Sequence, residues 1–226
     1  MSEGGGHERD GRGETRDRIY RAALALFRDK GFDATTMRDV ATAAGMSLGA
    51  AYYYFRSKEA IVLAFYGEVH AAWHRRGRAL LAETTDLAAR IRGLLHLHHA
   101  IVADDRALLG AIVRTVADPA SPLSVFSSDN QRLRSESIGL YFAALEVDEV
   151  PDDLRDLGAL GLWTLDLALM LYLVWDDSPE QVRTHRLVDE VVDLVAGALP
   201  LLSLPLARPF LSRVARILVE ARLVPE

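Results

Sequence analysis

Apolar side chains recur along this chain at the three- and four-residue spacing of amphipathic helices, and no stretch alternates long enough to propose a sheet. Ile19, Ala22, Ala23, Leu26 and Phe27 share one face of a helix over 16–30, which Gly31 ends. Met37, Val40, Ala41 and Ala44 mark a short second helix. Thr36 opens it as an N-cap, with Asp39 three residues on to complete a capping box. Gly45 and Met46 turn the chain, and Ser47 caps a third helix over 48–55 with Ala51 and Phe55 facing inward. A fourth starts at Lys58, capped by Ser57, and carries Ile61, Val62, Phe65, Val69, Ala72 and Trp73 towards residue 82. Further helices are expected over 86–103, 104–116, 123–145, 152–175, 179–199 and 209–223, with prolines between several of them.

The expected fold class is therefore all-α: a three-helix head containing a helix-turn-helix, followed by a multi-helix body. Residues 1–14 read as a disordered arm, 15–57 as the head and 58–226 as the body.

The second and third helices are too tightly joined to be anything but a helix-turn-helix, whose second helix can enter the major groove of DNA. A helix buried on one side normally shows long charged side chains on its other face. This one shows Leu48, Gly49, Ala50, Tyr52 and Tyr53. The small residues let backbone approach base edges, so Leu48, Gly49 and Ala50 are expected to face bases, through thymine methyls and groove shape. Thr36, Arg38, Ser47, Tyr52, Tyr53 and Lys58 are expected to hold phosphates, which fix register without reading sequence. If so, Tyr52 and Tyr53 must stand exposed.

The residues Lys30-Gly31-Phe32, Thr36, Ala44-Gly45-Met46-Ser47, Gly49, Tyr52, Tyr54-Phe55 and Lys58-Glu59 stand at spacings that resemble the tetracycline-repressor (TetR) family of bacterial transcription regulators. The resemblance covers about the first quarter of the chain. It implies a helical homodimer, an N-terminal DNA-binding domain and a C-terminal domain for a small effector. It also implies that the fourth helix moves when the effector binds, and that dimerisation uses the last two long helices, carried over here to 152–175 and 179–199.

Charge complicates this picture. The 226 residues carry a net charge of −6, which is unusual for a nucleic-acid binder. Residues 1–60, however, hold 10 basic and 9 acidic residues, against 16 and 23 in the remainder. A head that is only locally positive suffices, and an acidic body limits non-specific binding. The absence of cysteine excludes disulfides, thiolate zinc sites and a cysteine nucleophile, and suits the cytoplasm. The opening MSEGGGHERDGRGE has no apolar run, so a secretory signal is not expected.

Residues 157–175 are almost long and apolar enough to span a bilayer. Asp166 at the centre and Asp153, Asp156, Asp176 and Asp177 at the flanks argue instead for a helix between the body core and a partner subunit. The following helix supports this, because Leu187, Val188, Val191, Val192, Leu194, Val195, Ala198 and Leu199 make an apolar face too wide for one neighbour. Paired with a symmetry mate, the two helices form a four-helix interface.

Bulky or polar-tipped side chains amid apolar helix mark candidate effector contacts: Trp73, His98, Ile101, Phe126, Tyr141, Trp163, Asp166 and Met170. Together they suit an apolar or aromatic ligand, although core packing explains each one singly. Asp166 needs a partner, left open between a cross-dimer contact, an arginine and a ligand. His70 and His74, four apart, and the trio His96, His98 and His99 raise a metal-binding sensor or a small hydrolase as the alternative function. No carboxylate completes a His-Glu-x-x-His pattern, so no metal or cofactor is expected. No phosphate loop and no nucleophile elbow is present, so an enzyme is not expected either. A third reading, a lipid-surface protein, rests on the basic, amphipathic helix over 209–223.

Overall fold

A computed structural model describes residues 5–106, 108–110, 113, 121, 124, 127, 130–202, 204 and 206–220. Among them every regular element is helical: α1 Gly5–Asp29, α2 Met37–Ala43, α3 Leu48–Tyr54, α4 Lys58–Glu83, α5 Leu87–Val102, α6 Gln131–Ala144, α7 Asp152–Trp175, α8 Val182–Leu202 and α9 Arg208–Glu220. The all-α expectation therefore holds. The chain divides into two compact units, Met1–Val69 with Val102–Gln131, and His70–Ile101 with Arg132–Glu226. The division falls inside α4, and 102–131 joins the N-terminal unit.

In the first unit, α1 packs on α2 and α2 on α3. Their apolar stripes meet in a core of Ile19, Ala23, Phe27, Val40, Ala51 and Phe55, joined by Ile61, Val62 and Phe65 of α4 and by Leu108. Phe27 meets the edge of Phe32 at 5.2 Å. Two long-range contacts brace α1. Tyr20 donates to Glu68 at 2.9 Å, and Arg28 donates to Asp105 at 2.6 Å on the 3₁₀ turn Ala103–Asp105.

The second unit is built around Trp73, Ile91, Leu94, Leu95, Leu140, Tyr141, Leu160, Leu169, Val188 and Val192. Gly77 allows α4 to lie close to its neighbours, since a Cβ there would meet Leu94 at 2.8 Å and Leu140 at 2.9 Å.

Three boundaries differ from the sequence expectation. First, α1 begins at Gly5 rather than near residue 16, so the expected 1–14 arm is helical from Gly5 onward. Residues 11–14 are exposed helix. Charged residues of good helix propensity and the Thr15 hydroxyl donated to the Gly11 carbonyl at 2.8 Å sustain it without burial. Second, α6 starts at Gln131 rather than 123. Ser124, Ser127 and Asn130 close successive i-to-i+3 turns, and Asn130 Nδ2 donates to the Ser124 carbonyl at 2.9 Å. Short polar side chains here compete with the helix for backbone groups. Third, α8 follows a separate 3₁₀ turn, Pro179–Gln181, and continues to Leu202. Pro200 thus sits in its last turn, where only one intrahelical bond is lost. The expected helix over 104–116 lies largely outside the described residues.

Candidate nucleic-acid interface and buried polar centre

The helix-turn-helix is locally specified. Thr36 Oγ1 accepts from the Asp39 amide at 3.1 Å while Asp39 Oδ2 accepts from the Thr36 amide at 2.8 Å, a complete capping box. Lys30 Nζ also donates to Asp39 at 2.8 Å, and this bond, followed by those from Thr36, holds the Asp39 carboxyl well below its usual range. Gly45 has φ +64°, which glycine adopts without strain. With the Met46 amide bonded to the Ala41 carbonyl at 2.8 Å, it closes α2. Ser47 Oγ then accepts from the Ala50 amide at 3.2 Å to open α3.

The outcome is an exposed ridge on α3. Ser47, Gly49, Tyr52 and Tyr53 face solvent, with Tyr53 70% exposed. Thr36 and Arg38 are exposed beside them, and Ala50 is half-buried. Leu48 is turned partly inward against the head core. The Thr36 hydroxyl is occupied by its capping box. Lys58 has a second task. Its Nζ donates to the Phe32 carbonyl at 2.7 Å and the Asp33 carbonyl at 3.4 Å, and lies 4.5 Å from the centre of the Phe32 ring. It ties α4 to the loop after α1. Sequence reasoning passed over Arg56, which is exposed directly after α3; a cation following a recognition helix was the available signal.

A second concentration of chemistry lies inside the other unit. Trp73 of α4 donates its indole N–H to the Leu94 carbonyl at 3.0 Å. Its ring stacks on His98 with centroids 4.5 Å apart and tilts against Tyr141 at 5.5 Å. His98 Nδ1 lies 2.8 Å from Asp166 Oδ2, which answers the question of what partners Asp166. Four of the eight candidate effector residues thus come together: Trp73, His98, Tyr141 and Asp166. Ile101 and Trp163 belong to the same core, Met170 is half-buried, and Phe126 lies outside the described residues.

The centre is not fully paired. Asp166 Oδ1, the Tyr141 hydroxyl and both ring nitrogens of His99 are buried without a hydrogen-bond partner. Each such atom costs about 1–3 kcal/mol in an apolar interior. Burial, then the Asp166 charge, pushes the Tyr141 hydroxyl well above its ordinary value, so it remains an O–H. Burial lowers His99 to about 4, against a smaller opposing pull from Asp166, so it is neutral near pH 7. His99 was grouped by sequence with possible metal ligands, and its place beside Asp166 was missed.

The remaining histidines are engaged elsewhere. His70 stacks on His74 at 5.8 Å, as their four-residue spacing requires. His96 Nδ1 lies 3.1 Å from His185 Nδ1, and its Nε2 lies 2.9 Å from Asp189. Among the described residues no three His, Asp or Glu side chains gather as a metal would require.

On α7, one of the described helices is long and apolar enough to cross a membrane. Leu154, Leu162, Trp163, Asp166, Leu169 and Leu173 on it are buried in its own unit. Leu171, Tyr172 and Trp175 stand exposed, as does Leu194 of α8.

With this geometry in hand, comparison with known proteins is informative. Residues 19–65 match the family model for bacterial regulatory proteins of the tetR family. An HTH-type transcriptional regulator of Bacillus subtilis, YerO, is 46% identical over 50 residues, covering 22% of this chain and 17% of its own length. The HTH-type transcriptional repressor KstR2 of Mycolicibacterium smegmatis is 45% identical over 47 residues, 21% of this chain and 23% of its own. The chain thus matches less than a quarter of the length of either relative. Beyond the head the likeness is one of fold. The regulator FadR from Bacillus subtilis, solved with stearoyl-CoA, superposes with a TM-score of 0.60 at 18% identity, over 77% of this chain and 96% of that one. The matched head residues and the helical fold place this chain in the TetR family of bacterial regulatory proteins.

Proposed function

We propose that this chain is an effector-responsive, sequence-specific transcriptional repressor, acting in the cytoplasm as a homodimer on a pseudo-palindromic operator. The observation that carries the reading is the α3 ridge: two exposed tyrosines beside a glycine, on a helix whose other face is locked into the head core. Such a surface suits backbone contact with bases and hydroxyl contact with phosphates. Two heads place half-sites one helical turn apart, roughly 34–36 Å, or slightly more. The exposed apolar side chains of α7 and α8 supply the subunit interface.

A small apolar or aromatic ligand in the body releases the protein by favouring a head spacing that no longer fits the operator, since a ligand shifts a conformational equilibrium only by binding one state better. The stearoyl-CoA bound by the Bacillus subtilis FadR supports an acyl chain as one candidate for the apolar portion. Selection of bound fragments from random duplex DNA tests the reading. Enrichment of an inverted repeat supports it, and a pool that stays unenriched overturns it.

A further inference from the structure

The unpaired atoms of the buried centre have a defined chemistry. Asp166 Oδ2 is engaged with His98, which leaves Oδ1 as an acceptor without a donor. The Tyr141 hydroxyl needs an acceptor for its proton. Neutral His99 needs an acceptor for its one N–H and offers its other nitrogen as an acceptor. These residues stand on α5, α6 and α7, and Trp73 binds the group together by touching both His98 and Tyr141. Tyr141 is fully buried, His99 is 1% exposed and Asp166 is 2% exposed, so bulk water does not supply the missing partners.

We infer that this centre recognises an uncharged hydroxyl group, an alcohol or a phenol, carried on an apolar ligand. The inference rests on the reading of this unit as effector-binding. One hydroxyl donates a single hydrogen bond and accepts two, which matches one bare oxygen on Asp166 and two protons on Tyr141 and His99. A carboxylate head places a negative charge against Asp166 in an interior where like charges are poorly screened. An ammonium head satisfies Asp166 but has no lone pair for Tyr141 or His99. The surrounding leucines and Ile101 accept an apolar remainder.

The test uses the full-length protein and four probes with apolar tails: 1-decanol, 4-hexylphenol, decanoate and decylamine. Calorimetric titration is expected to rank at least one hydroxyl probe tenfold or more tighter than both charged probes, the better of the two identifying an alcohol or a phenol. Tyr141→Phe is expected to weaken that hydroxyl probe about tenfold while leaving decanoate unchanged. Decanoate or decylamine binding as tightly as both hydroxyl probes overturns the inference. So does the failure of every probe to saturate, which assigns the centre to a buried water only. Should Tyr141→Phe lose its cooperative melt, the wild-type ranking decides alone. An operator-release arm separates this inference from the reading beneath it. A hydroxyl probe that binds but leaves DNA bound contradicts the effector reading and keeps the site. Release by decanoate alone does the reverse.

Discussion

His98 on α5 holds Asp166 on α7 through Nδ1 at 2.8 Å, and the same imidazole lies flat beneath Trp73 of α4. One ring therefore pins three helices together, and the carboxylate it serves is almost fully buried. Replacing His98 by Ala leaves both Asp166 oxygens without a donor. The expected loss is about 3–5 kcal/mol of unfolding free energy, since removing one member of a buried polar pair strands the other. Urea denaturation of the variant checks this, and the double variant His98→Ala/Asp166→Leu is expected to recover part of the loss.

Acid should weaken this protein in two separate windows. His99 stays neutral in the fold down to about pH 4 because burial disfavours its charged form, whereas the unfolded chain takes up that proton near pH 6.5. Unfolding thus binds protons between pH 6.5 and 4, stability falls across that window as pH drops, and no further loss comes from His99 below it. Asp176 acts lower. Burial opposes its ionisation, but Ser178 and Thr184 each donate twice to its oxygens, which holds its carboxyl far below the usual range. Its contribution is present above pH 4 and lost below. Melting temperature against pH should show both steps, with His99→Gln removing the upper and Asp176→Asn the lower.

The cations of the head should separate by role. Arg38 and Arg56 are exposed, so each alanine variant should flatten the salt dependence of operator binding by about one unit of slope. Lys58 holds the Phe32 and Asp33 carbonyls. Lys58→Ala should chiefly lower the melting temperature of the head, by a free energy of roughly 1–2 kcal/mol. Salt titrations by fluorescence anisotropy, set beside thermal melts, distinguish the two classes.

Trp175 is 77% exposed and Leu194 72% exposed, a cost to solubility unless another surface covers them. A charge at either position, as in Trp175→Glu or Leu194→Glu, should convert the homodimer to monomer in sedimentation. Operator affinity should fall with it, because one head contributes only half of the site.

How far the sequence alone reached is clear from particular residues. Thr36, Gly45 and Ser47 act within three residues of themselves, so the helix-turn-helix was legible from spacing. Asp166 was legible as a buried carboxylate in need of a partner. Its partner was not, because 68 residues separate it from His98 and periodicity carries no information about which helices meet. The same limit hid His99, and it explains why Lys58 read as a free cation: the carbonyls it serves lie 26 and 25 residues earlier. Boundaries failed where side chains compete with the backbone, at Ser124 to Asn130, or where a helix persists into solvent, before residue 15.

The central claim is that the α3 ridge reads DNA, and Gly49 offers the cleanest test of it. A Cβ added there meets nothing within 4 Å, so Gly49→Glu fits the fold and should melt at or above the wild-type temperature, helix propensity being gained. The variant places a negative charge where bases should lie. Measured by anisotropy on a selected operator, Gly49→Glu is predicted to lose at least a hundredfold in affinity while its melt is preserved. Wild-type affinity in that variant would contradict the account.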